Sequence, residues 1–363
     1  MRNKDLKIAL VVENLFVLGG ANVVNLELAD IFPNADIYAL YGSKDFVTKY
    51  LLERNIHFSF LNRFPFIKKL YTFYLPLWPV AVETFDLSKY DLVISSSHSV
   101  AKGCITSQDT LHIAYVHTPM RFLWDLREMY SKYRWLKAPF LNYLRIWDVG
   151  SSKRADILIS SSKFIGSRCK RYWGRDVDGV IYPPVNLYDG SLIRYEDREN
   201  YFVAGAPFAE NKGGDFLIEC AKRLKFNLKV VGDGRGSKRL KRLARGCKNV
   251  EFLGRVSEKR KWEVLSNASG FIGCGIEDFG IFPVESMSCG TPVLALKKGG
   301  YTESVVDGKN GIFYKENSLD SFKEGLNKLV GIDWDIDIIR ESVKRFSREN
   351  FRREVEGLVK NSI

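Results

Sequence analysis

The sequence lacks several patterns that mark common classes of protein. Its six cysteines are scattered, with no C-x-x-C pair and no cluster with histidine, so we expect reduced thiols rather than a disulfide framework or a zinc site. No segment approaches roughly 18 uncharged apolar residues, so no membrane-spanning helix is expected. Low-complexity tracts and short repeats are also missing. The composition, 45% hydrophobic and 27% charged, is typical of a soluble globular protein.

Two recognisable motifs are incomplete. The glycines of "GDGRG" (232–236) have the spacing G-x-G-x-G and lack the third glycine of a dinucleotide fingerprint, which predicts a turn and argues against an NAD oxidoreductase. The acidic stretch "DWDID" (333–337) resembles a calcium loop, but Ile338 stands where that loop needs glycine. We therefore predict an exposed helix start there and no metal ion.

Basic residues outnumber acidic ones by 55 to 43, which gives a net charge of +12. Such an excess favours anionic partners, namely nucleic acid, phosphorylated ligands or an acidic lipid surface. The basic residues are dispersed and form no recognised nucleic-acid motif. A nucleic-acid-binding module is therefore the less favoured interpretation.

The first 20 residues begin basic and apolar, as a signal peptide does. Glu13 and Asn14 interrupt the apolar run, and no small-residue cleavage site follows. We therefore predict a first strand over 6–12 and a cytoplasmic protein.

Strands and helices alternate along the chain and restart after a break, which predicts an α/β protein with two Rossmann-like parallel sheets. The break is a stretch with paired prolines and polar residues. Ligands bind at the carboxyl ends of such strands, so we expect the sheets to face a central cleft. The predicted divisions are an N-terminal domain, a linker, a C-terminal domain and a last helix that completes the first domain: 1–183, 184–200, 201–344 and 345–363.

The stretch "GIEDFGIFPVESMSCGTPV" places two acids around a strand-to-helix turn. Gly280 permits close approach of the backbone to a ligand, and Pro283 suits the first position of a helix. The start of that helix is an anion site. Glu285, in the expected first turn, suits the two hydroxyls of a ribose, while Glu277 projects from the strand end. A ribose, a diphosphate and another hydroxyl-rich group make a nucleotide sugar.

The spacing of these acids leaves a simpler interpretation open, in which Glu285 complements the helix dipole and Glu277 is solvated. A second candidate with two interpretations is His98 in "SSSHS". A histidine at a strand end is more often a satisfied structural residue, which is the favoured interpretation, than a catalytic one.

Several blocks together resemble glycosyltransferase family 4, the retaining enzymes of GT-B fold, of the group-1 type that assembles bacterial and archaeal glycans. "EDFGIFPVESMSCGTPVLALKKGGYTESVVDGKNGIFY" looks like the E-x7-E segment of that family. The blocks "GGANVVNLELA", "YDLVISSSHSVAKG", "AYVHTPMRFLWD", "YPPVNL" and "NVEFLGRVSEKRKWEVLSNAS" occur in the family's order. The resemblance covers nearly the whole chain and implies a metal-independent enzyme without a cofactor.

The resemblance also implies roles for individual residues. Glu277 would contact the donor sugar near the reacting carbon, Glu285 would hold the donor ribose, and His117 of the "HTP" block would reach the transferred sugar. Backbone N–H groups of the turn would meet the donor phosphate or sugar, and a glycine pair would line the phosphate or acceptor end: Phe279, Gly280 and Ile281, with Gly19 and Gly20.

One departure from the family concerns the donor phosphates. The family usually carries an arginine five residues before a lysine, whereas this chain has Pro207 before Lys212. A lysine is a point charge without the guanidinium fork. Arg255, followed by Val256 near the expected base pocket, is the candidate substitute for donor binding.

Two segments have the composition of a surface that binds anionic lipid. Segment 64–85 combines aromatics and prolines with two lysines, and segment 235–248 predicts a helix with a basic face. A buried helix and loop is the alternative for the first segment, and a simply solvated face is the favoured interpretation of the second. For segment 64–85, the lipid-binding interpretation is slightly favoured over a buried helix and loop, because enzymes of the resembled family commonly act on lipid-linked acceptors.

The sequence therefore predicts a retaining glycosyltransferase. It would move a hexose of mannose or glucose type from a GDP- or UDP-linked sugar to a glycan or lipid-linked acceptor, in the cytoplasm or at the inner face of the cell membrane. No separate base is evident in the sequence, so the leaving phosphate is expected to take the acceptor proton. The rivals are another GT-B enzyme, such as a sugar phosphorylase or a nucleotide-sugar epimerase, and the nucleic-acid-binding module.

Overall fold

The structure, a computed structural model, describes residues 6–125, 134–205, 213–234 and 236–363, and of 134–137 only the backbone. Its chain divides into two units. Unit 1 is Met1–Pro184 together with Arg348–Ile363, and unit 2 is Val185–Ser347.

Unit 1 is built on a parallel sheet with the strand order β3-β2-β1-β4-β5-β6-β7, as far as the chain is described. The central strands are apolar on both faces, as expected where helices cover both sides of a sheet. The strands are β1 (Ile8–Leu15), β2 (Asp36–Gly42), β3 (Ile56–Phe58), β4 (Leu92–Ser97), β5 (Leu111–Val116), β6 (Ile157–Ser160) and β7 (Gly179–Val180).

Helices follow the strands of unit 1, and one of them has a capping residue at each end. The Ser162 hydroxyl accepts from the Ile165 N–H at 3.1 Å at the start of this helix, and Gly174 ends it with a φ of 67°. The helices are α1 (Gly20–Ile31), α2 (Lys44–Tyr50), α3 (Ile67–Leu70), α4 (Trp78–Glu83), α5 (Arg134–Ser151) and α6 (Lys163–Trp173), with 3-10 turns at Phe60–Arg63, Leu75–Leu77 and Ala101–Gly103.

Unit 2 repeats this arrangement with a parallel sheet of order β10-β9-β8-β11-β12-β13 in its described part. Its strands are β8 (Glu199–Gly205), β9 (Leu228–Val231), β10 (Val250–Gly254), β11 (Ala268–Gly273), β12 (Val293–Leu296) and β13 (Gly311–Tyr314). Its helices are α7 (Gly214–Leu224), α8 (Ser237–Leu243), α9 (Glu258–Ser266), α10 (Ile281–Ser288), α11 (Tyr301–Ser304), α12 (Leu319–Val330) and α13 (Ile336–Ser342), with 3-10 turns at Tyr195–Asp197 and Lys344–Phe346.

The chain then returns to unit 1 as α14 (Arg348–Ser362). Phe351, Val355 and Val359 of this helix are buried in the core of unit 1. The buried carboxylate of Glu27 on α1 pairs with the guanidinium of Arg352, which fixes the helix against α1.

The prediction of two parallel Rossmann-like sheets is confirmed. The first strand runs through Glu13 to Leu15, further than the apolar run predicted. The predicted boundaries at 183, 200 and 344 stay predictions, although the stretch assigned to the linker holds a 3-10 turn and the start of β8. No helix in the described ranges is both long and apolar enough to cross a membrane.

Candidate functional site

The loop between β11 and α10 is held in a fixed path by glycines. Gly280 has a φ of 94°, and a β-carbon there would lie 3.3 Å from Tyr301 Cε1. The Gly300 N–H donates to the Glu277 carbonyl at 2.8 Å. A β-carbon on Gly300 would come within 2.3 Å of Phe279 Cα, so the two backbones meet only because this position is glycine.

Helix α10 begins two residues earlier than the sequence indicated. Gly280 is the N-cap, so Pro283 is the third helical residue rather than the first. A proline is tolerated there because first-turn N–H groups have no partner within the helix. Glu285 consequently lies beyond the first turn, which contains no acidic residue. The interpretation of Glu285 as a dipole-compensating acid of the first turn is therefore wrong.

Glu285 is instead paired with a residue that the sequence did not single out. Its Oε1 accepts from Lys261 Nζ of α9 at 2.8 Å, and the two side chains are only 12% and 14% exposed. Lys261 also pairs with Glu258 and lies 4.3 Å from the centre of the Trp262 ring. Burial raises the pKa of Glu285, and the positive charge of Lys261 opposes that rise. The arrangement is a shielded, charge-assisted hydrogen bond at the carboxyl edge of the sheet.

The remaining residues of the loop present mostly backbone. Glu277 is half-buried. Burial raises the pKa of Tyr301, and the negative charge of Glu277 adds to that rise. The Phe279 side chain is buried, with its ring 5.1 Å from that of Phe346. Gly280 and Ile281 are half-buried. A ligand at this loop would therefore meet mainly the backbone of Phe279, Gly280 and Ile281. Their role in donor binding stays a prediction.

Other predicted donor-binding residues lie apart from Glu285 or outside the described part of the chain. Arg255, which is exposed, and Val256 follow β10, which β9 and β8 separate from β11. The pKa of Asp233 is lowered by its bond with Ser237, and the charge of Arg255 adds to that effect. Pro207 and Lys212 lie outside the described residues.

In unit 1, His117 follows β5 at the carboxyl edge of the sheet. Its Nε2 lies 2.8 Å from the Ser96 hydroxyl of β4. Burial lowers the pKa of His117 to about 3, and the charge of His98 contributes to that shift. His117 is therefore neutral at physiological pH, and its predicted role toward the transferred sugar stays a prediction.

His98, directly after β4, is paired with Glu13 of β1. The Nδ1 of His98 lies 2.9 Å from Glu13 Oε2, and the histidine side chain is 35% exposed while that of Glu13 is 1% exposed. Burial alone would raise the pKa of Glu13, but the charge of His98 and hydrogen bonds from Ala101 and Ser99 hold it well below its usual range. The sequence showed Glu13 only as an interruption of an apolar strand.

The glycine pair of unit 1 lies at the same edge. Gly20 begins α1 and Gly19 is its cap, and both are exposed. A β-carbon on Gly19 would meet no atom within 4 Å, so space is open beside this backbone. Among the described side chains, no group of three or more His, Cys, Asp and Glu residues is arranged to hold a metal ion.

Comparison with known proteins identifies the part of the chain that contains the Glu285 site. Residues 193–349 match the family described as glycosyl transferases group 1. The match lies almost entirely in unit 2 and covers less than half of the chain. The matched range coincides closely with the limits of this unit.

Two curated relatives and one solved structure extend the comparison. The chain is 29% identical over 203 residues to an uncharacterized glycosyltransferase of Methanocaldococcus jannaschii, covering 55% of this chain and 56% of the relative. It is 30% identical over 172 residues to a GDP-mannose-dependent monoacylated alpha-(1-6)-phosphatidylinositol monomannoside mannosyltransferase of Corynebacterium glutamicum, covering 42% and 45%. The chain thus spans about half the length of these relatives.

The fold is similar over the full length to that of HepE from Anabaena in complex with UDP. The TM-score is 0.69 with 17% identity, and the alignment covers 98% of this chain and 100% of HepE. The likeness establishes a GT-B fold for the two parallel-sheet units.

Proposed function

We propose that the protein is a glycosyltransferase that moves a hexose from a GDP- or UDP-linked sugar to a glycan or lipid-linked saccharide. The observation that carries the proposal is the shielded Lys261–Glu285 pair beside the glycine loop, within the range that matches glycosyl transferases group 1. A buried carboxylate with one fixed oxygen can accept hydrogen bonds from the vicinal hydroxyls of a ribose.

Lys261 prepares Glu285 for this role. It binds Oε1 at 2.8 Å and so leaves Oε2 to accept from a ribose hydroxyl. Its positive charge also opposes the rise in the pKa of Glu285 that burial causes. A charge-assisted hydrogen bond of this kind contributes about 1.5–3 kcal/mol.

The leaving diphosphate is stabilised by the start of α10. The Ile281 and Phe282 N–H groups lie in the first turn, where the helix supplies no acceptor for them. Lys212 adds a positive charge in this proposal. Donors fixed in advance around developing negative charge are the main electrostatic help for such a departure.

Glu277 and the neutral imidazole of His117 position the transferred sugar. Retention of anomeric configuration follows from the resemblance to family 4, and no metal or organic cofactor is required by this chemistry. Both GDP- and UDP-linked donors remain in the proposal. One relative is named as GDP-mannose-dependent, and the solved structure of HepE contains UDP.

Segment 64–85 supports a lipid-linked acceptor at the cytoplasmic face of a membrane. Phe66 and Phe73 are 73% and 76% exposed, and Lys68 and Lys69 lie exposed between them. Exposed aromatic rings beside lysines suit the headgroup region of an anionic membrane. Segment 235–248 offers less, because its helix ends at Leu243, which is exposed among the basic residues.

A donor panel tests the proposal. Nucleoside diphosphates and their 2′,3′-dideoxy analogues are titrated into the wild type and Glu285→Gln by calorimetry. We expect the variant to bind the ribonucleotide roughly 10- to 100-fold more weakly and the dideoxy analogue as the wild type does. Glu258→Gln is the matched control, because Glu258 also pairs with Lys261 but is largely exposed. Equal ribose discrimination in wild type and Glu285→Gln would exclude the ribose role.

Transfer itself is tested with the donor that binds best. Wild type is expected to release nucleoside diphosphate only with a saccharide acceptor or, slowly, with water, and the anomeric configuration of the product is read by NMR. Glycosyl phosphate formed from free phosphate would identify a phosphorylase, and an epimerised donor an epimerase. Tight binding of nucleic acid with a steep salt dependence would favour the nucleic-acid-binding module.

A further inference from the structure

Tyr188 lies at the start of unit 2 and contacts both helices that carry the Lys261–Glu285 pair. Its N–H donates to the Ser288 hydroxyl of α10 at 2.9 Å. Its ring lies 5.6 Å, centre to centre, from that of Trp262 on α9. The residue belongs to the stretch that the sequence assigned to the linker, outside both predicted domains.

The Ser288 hydroxyl connects Tyr188 to the backbone of Glu285. It accepts from the Tyr188 N–H and donates to the Glu285 carbonyl at 2.6 Å. Glu285 lies in the last turn of α10, where a helix leaves carbonyls without a partner of its own. Ser288 is 1% exposed, so neither bond is readily replaced by one to water. The position of Glu285 is therefore tied to that of Tyr188.

The Trp262 ring connects Tyr188 to the ammonium of Lys261. Lys261 Nζ lies 4.3 Å from the centre of this ring, within the range of a cation–π interaction. The Trp262 and Tyr188 rings are tilted by 39° to each other. A displaced Trp262 ring would remove one side of the site that holds the ammonium. Tyr188 therefore supports the cation of the pair as well as its carboxylate.

Tyr188 is itself held in place by its surroundings in unit 2. Its carbonyl accepts from Arg340 Nη2 of α13 at 2.9 Å. A β-carbon on Gly190 would lie 2.2 Å from Tyr188 Oη, so the following turn closes tightly beside the ring. The N–H, the carbonyl and the ring of Tyr188 are thus fixed on three different helices. A stretch that only spans the distance between two domains requires no such contacts.

The separation of α9 and α10 matters because one hydrogen bond joins the pair. Lys261 Nζ and Glu285 Oε1 are 2.8 Å apart. A displacement of either helix by roughly 1 Å would break this bond. Glu285 would then lose the contact that orients its carboxylate and leaves Oε2 for a ribose hydroxyl. Tyr188 limits such a displacement, because it contacts both helices.

We propose that Tyr188 is a positioning residue for the donor ribose. It docks on α9 through its ring and on α10 through its N–H, and so holds the two helices at the separation at which Lys261 orients Glu285. This inference rests on the proposed function, because it concerns the same ribose contact. Tyr188 acts through the pair and does not contact the donor.

The test titrates GDP and UDP, and their 2′,3′-dideoxy analogues, into wild type, Tyr188→Ala and Tyr188→Phe by calorimetry. Tyr188→Ala should weaken ribonucleotide binding roughly 3- to 10-fold and leave dideoxy binding as in the wild type. Tyr188→Phe should match the wild type, because the hydroxyl makes only a bond of 3.4 Å to the Ser191 carbonyl. A role in stability alone would lower the number of binding sites per molecule and leave the ratio of the two affinities unchanged.

Ser288→Ala supplies an independent variant. It removes the hydroxyl between Tyr188 and Glu285 but keeps the tyrosine ring, so it should show the same selective loss. Should Tyr188→Ala not fold, Ser288→Ala decides. Tyr195→Ala is the matched control and should keep the ribose discrimination of the wild type. Tyr195 is also half-buried in this stretch, but its hydroxyl donates to the Ser269 carbonyl at 3.1 Å.

The outcomes separate this proposal from the proposed function. Wild-type discrimination in both Tyr188→Ala and Ser288→Ala would overturn the positioning role and leave the ribose role of Glu285 intact. Selective loss in Tyr195→Ala as well would show a general loosening of unit 2 and would equally overturn it. Wild-type discrimination in Glu285→Gln would overturn the ribose role, and the positioning role with it.

Discussion

Lys261 and Glu285 join two helices of unit 2 through a single hydrogen bond of 2.8 Å between Nζ and Oε1. The pair connects α9, which follows the edge strand β10, to α10, which follows β11 near the middle of the sheet. The bond therefore holds α9 and α10 together whether or not a ligand is bound.

Removing Lys261 is expected to destabilise the protein. Lys261→Ala leaves the Glu285 carboxylate shielded and without its cation, at a cost of about 2–4 kcal/mol in the free energy of unfolding. The midpoint of urea unfolding measures the effect. Lys259→Ala, an exposed lysine of the same helix, is the control and should leave the midpoint unchanged. Equal midpoints for both variants would contradict the importance of the pair.

Adding a side chain at Gly280 should distort the glycine loop. Gly280→Ala forces a φ of 94° on an L-residue and places its β-carbon close to Tyr301, which we expect to cost about 1–3 kcal/mol. Nucleoside diphosphate affinity, measured by calorimetry, should fall in parallel. Gly246→Ala is a suitable comparison, because its φ of 82° is equally unusual but nothing lies within 4 Å of the new carbon. Loss of affinity in Gly246→Ala as well would point to a general effect of strain.

The last helix should be essential to unit 1. Phe351 of α14 is buried, with its ring centre 6.0 Å from that of Tyr115, so Phe351→Ala is expected to cost about 3–5 kcal/mol. Glu356→Ala, on the exposed side of the same helix, is the control. Hydrogen exchange should locate the loss of protection in β1, β4 and β5 rather than in unit 2. Equal loss in both units would contradict this assignment.

The pairing of Glu13 with His98 predicts a pH window for stability. The pKa of His98 is raised above its ordinary 6.5, so its contribution is fully present below that pH and is lost as pH rises through the higher folded value. The pKa of Glu13 is lowered from 4.5, so its contribution is present above that pH and is lost as pH falls.

The stability difference between wild type and His98→Gln should therefore be largest between pH 4.5 and 6.5. Urea unfolding at about pH 5.5 and at about pH 9 compares the stability difference with and without the contribution of His98. A difference that grows toward the alkaline end would show that the pair does not stabilise the folded protein.

The sequence predicted the elements whose signal is local. The apolar strands, the restart of the α/β pattern and the glycine turn before Glu285 are each contained in a few consecutive residues. The partners of the two buried acids Glu13 and Glu285 lie far from them in the sequence and have no such local signal. Glu13 meets His98 from 85 residues away, and Lys261 meets Glu285 from 24 residues away. Lys261 stands in a run of charged residues typical of a solvated helix, so only its tertiary position distinguishes it.

The boundary of α10 shows a subtler limit. Proline is common at the first helical position, but glycine is also accepted at the N-cap and can adopt the positive φ that Gly280 has here, so "FGIFP" allows two helix starts. The helix starts after Gly280, where Tyr301 lies close to the loop. Tyr301 is distant in the sequence, so the local residues do not reveal this start.

The return of α14 to unit 1 affects how the protein is made. The ribosome synthesises all of Val185–Ser347 before Phe351, Val355 and Val359, so unit 2 can finish folding while the core of unit 1 still lacks these three side chains. Although the N-terminal half is translated first, its core is expected to be completed after unit 2 has been synthesised. Nascent chains stalled after unit 2 but before α14 should therefore expose apolar surface of unit 1 and bind chaperones. Chains in which α14 has left the ribosome should not.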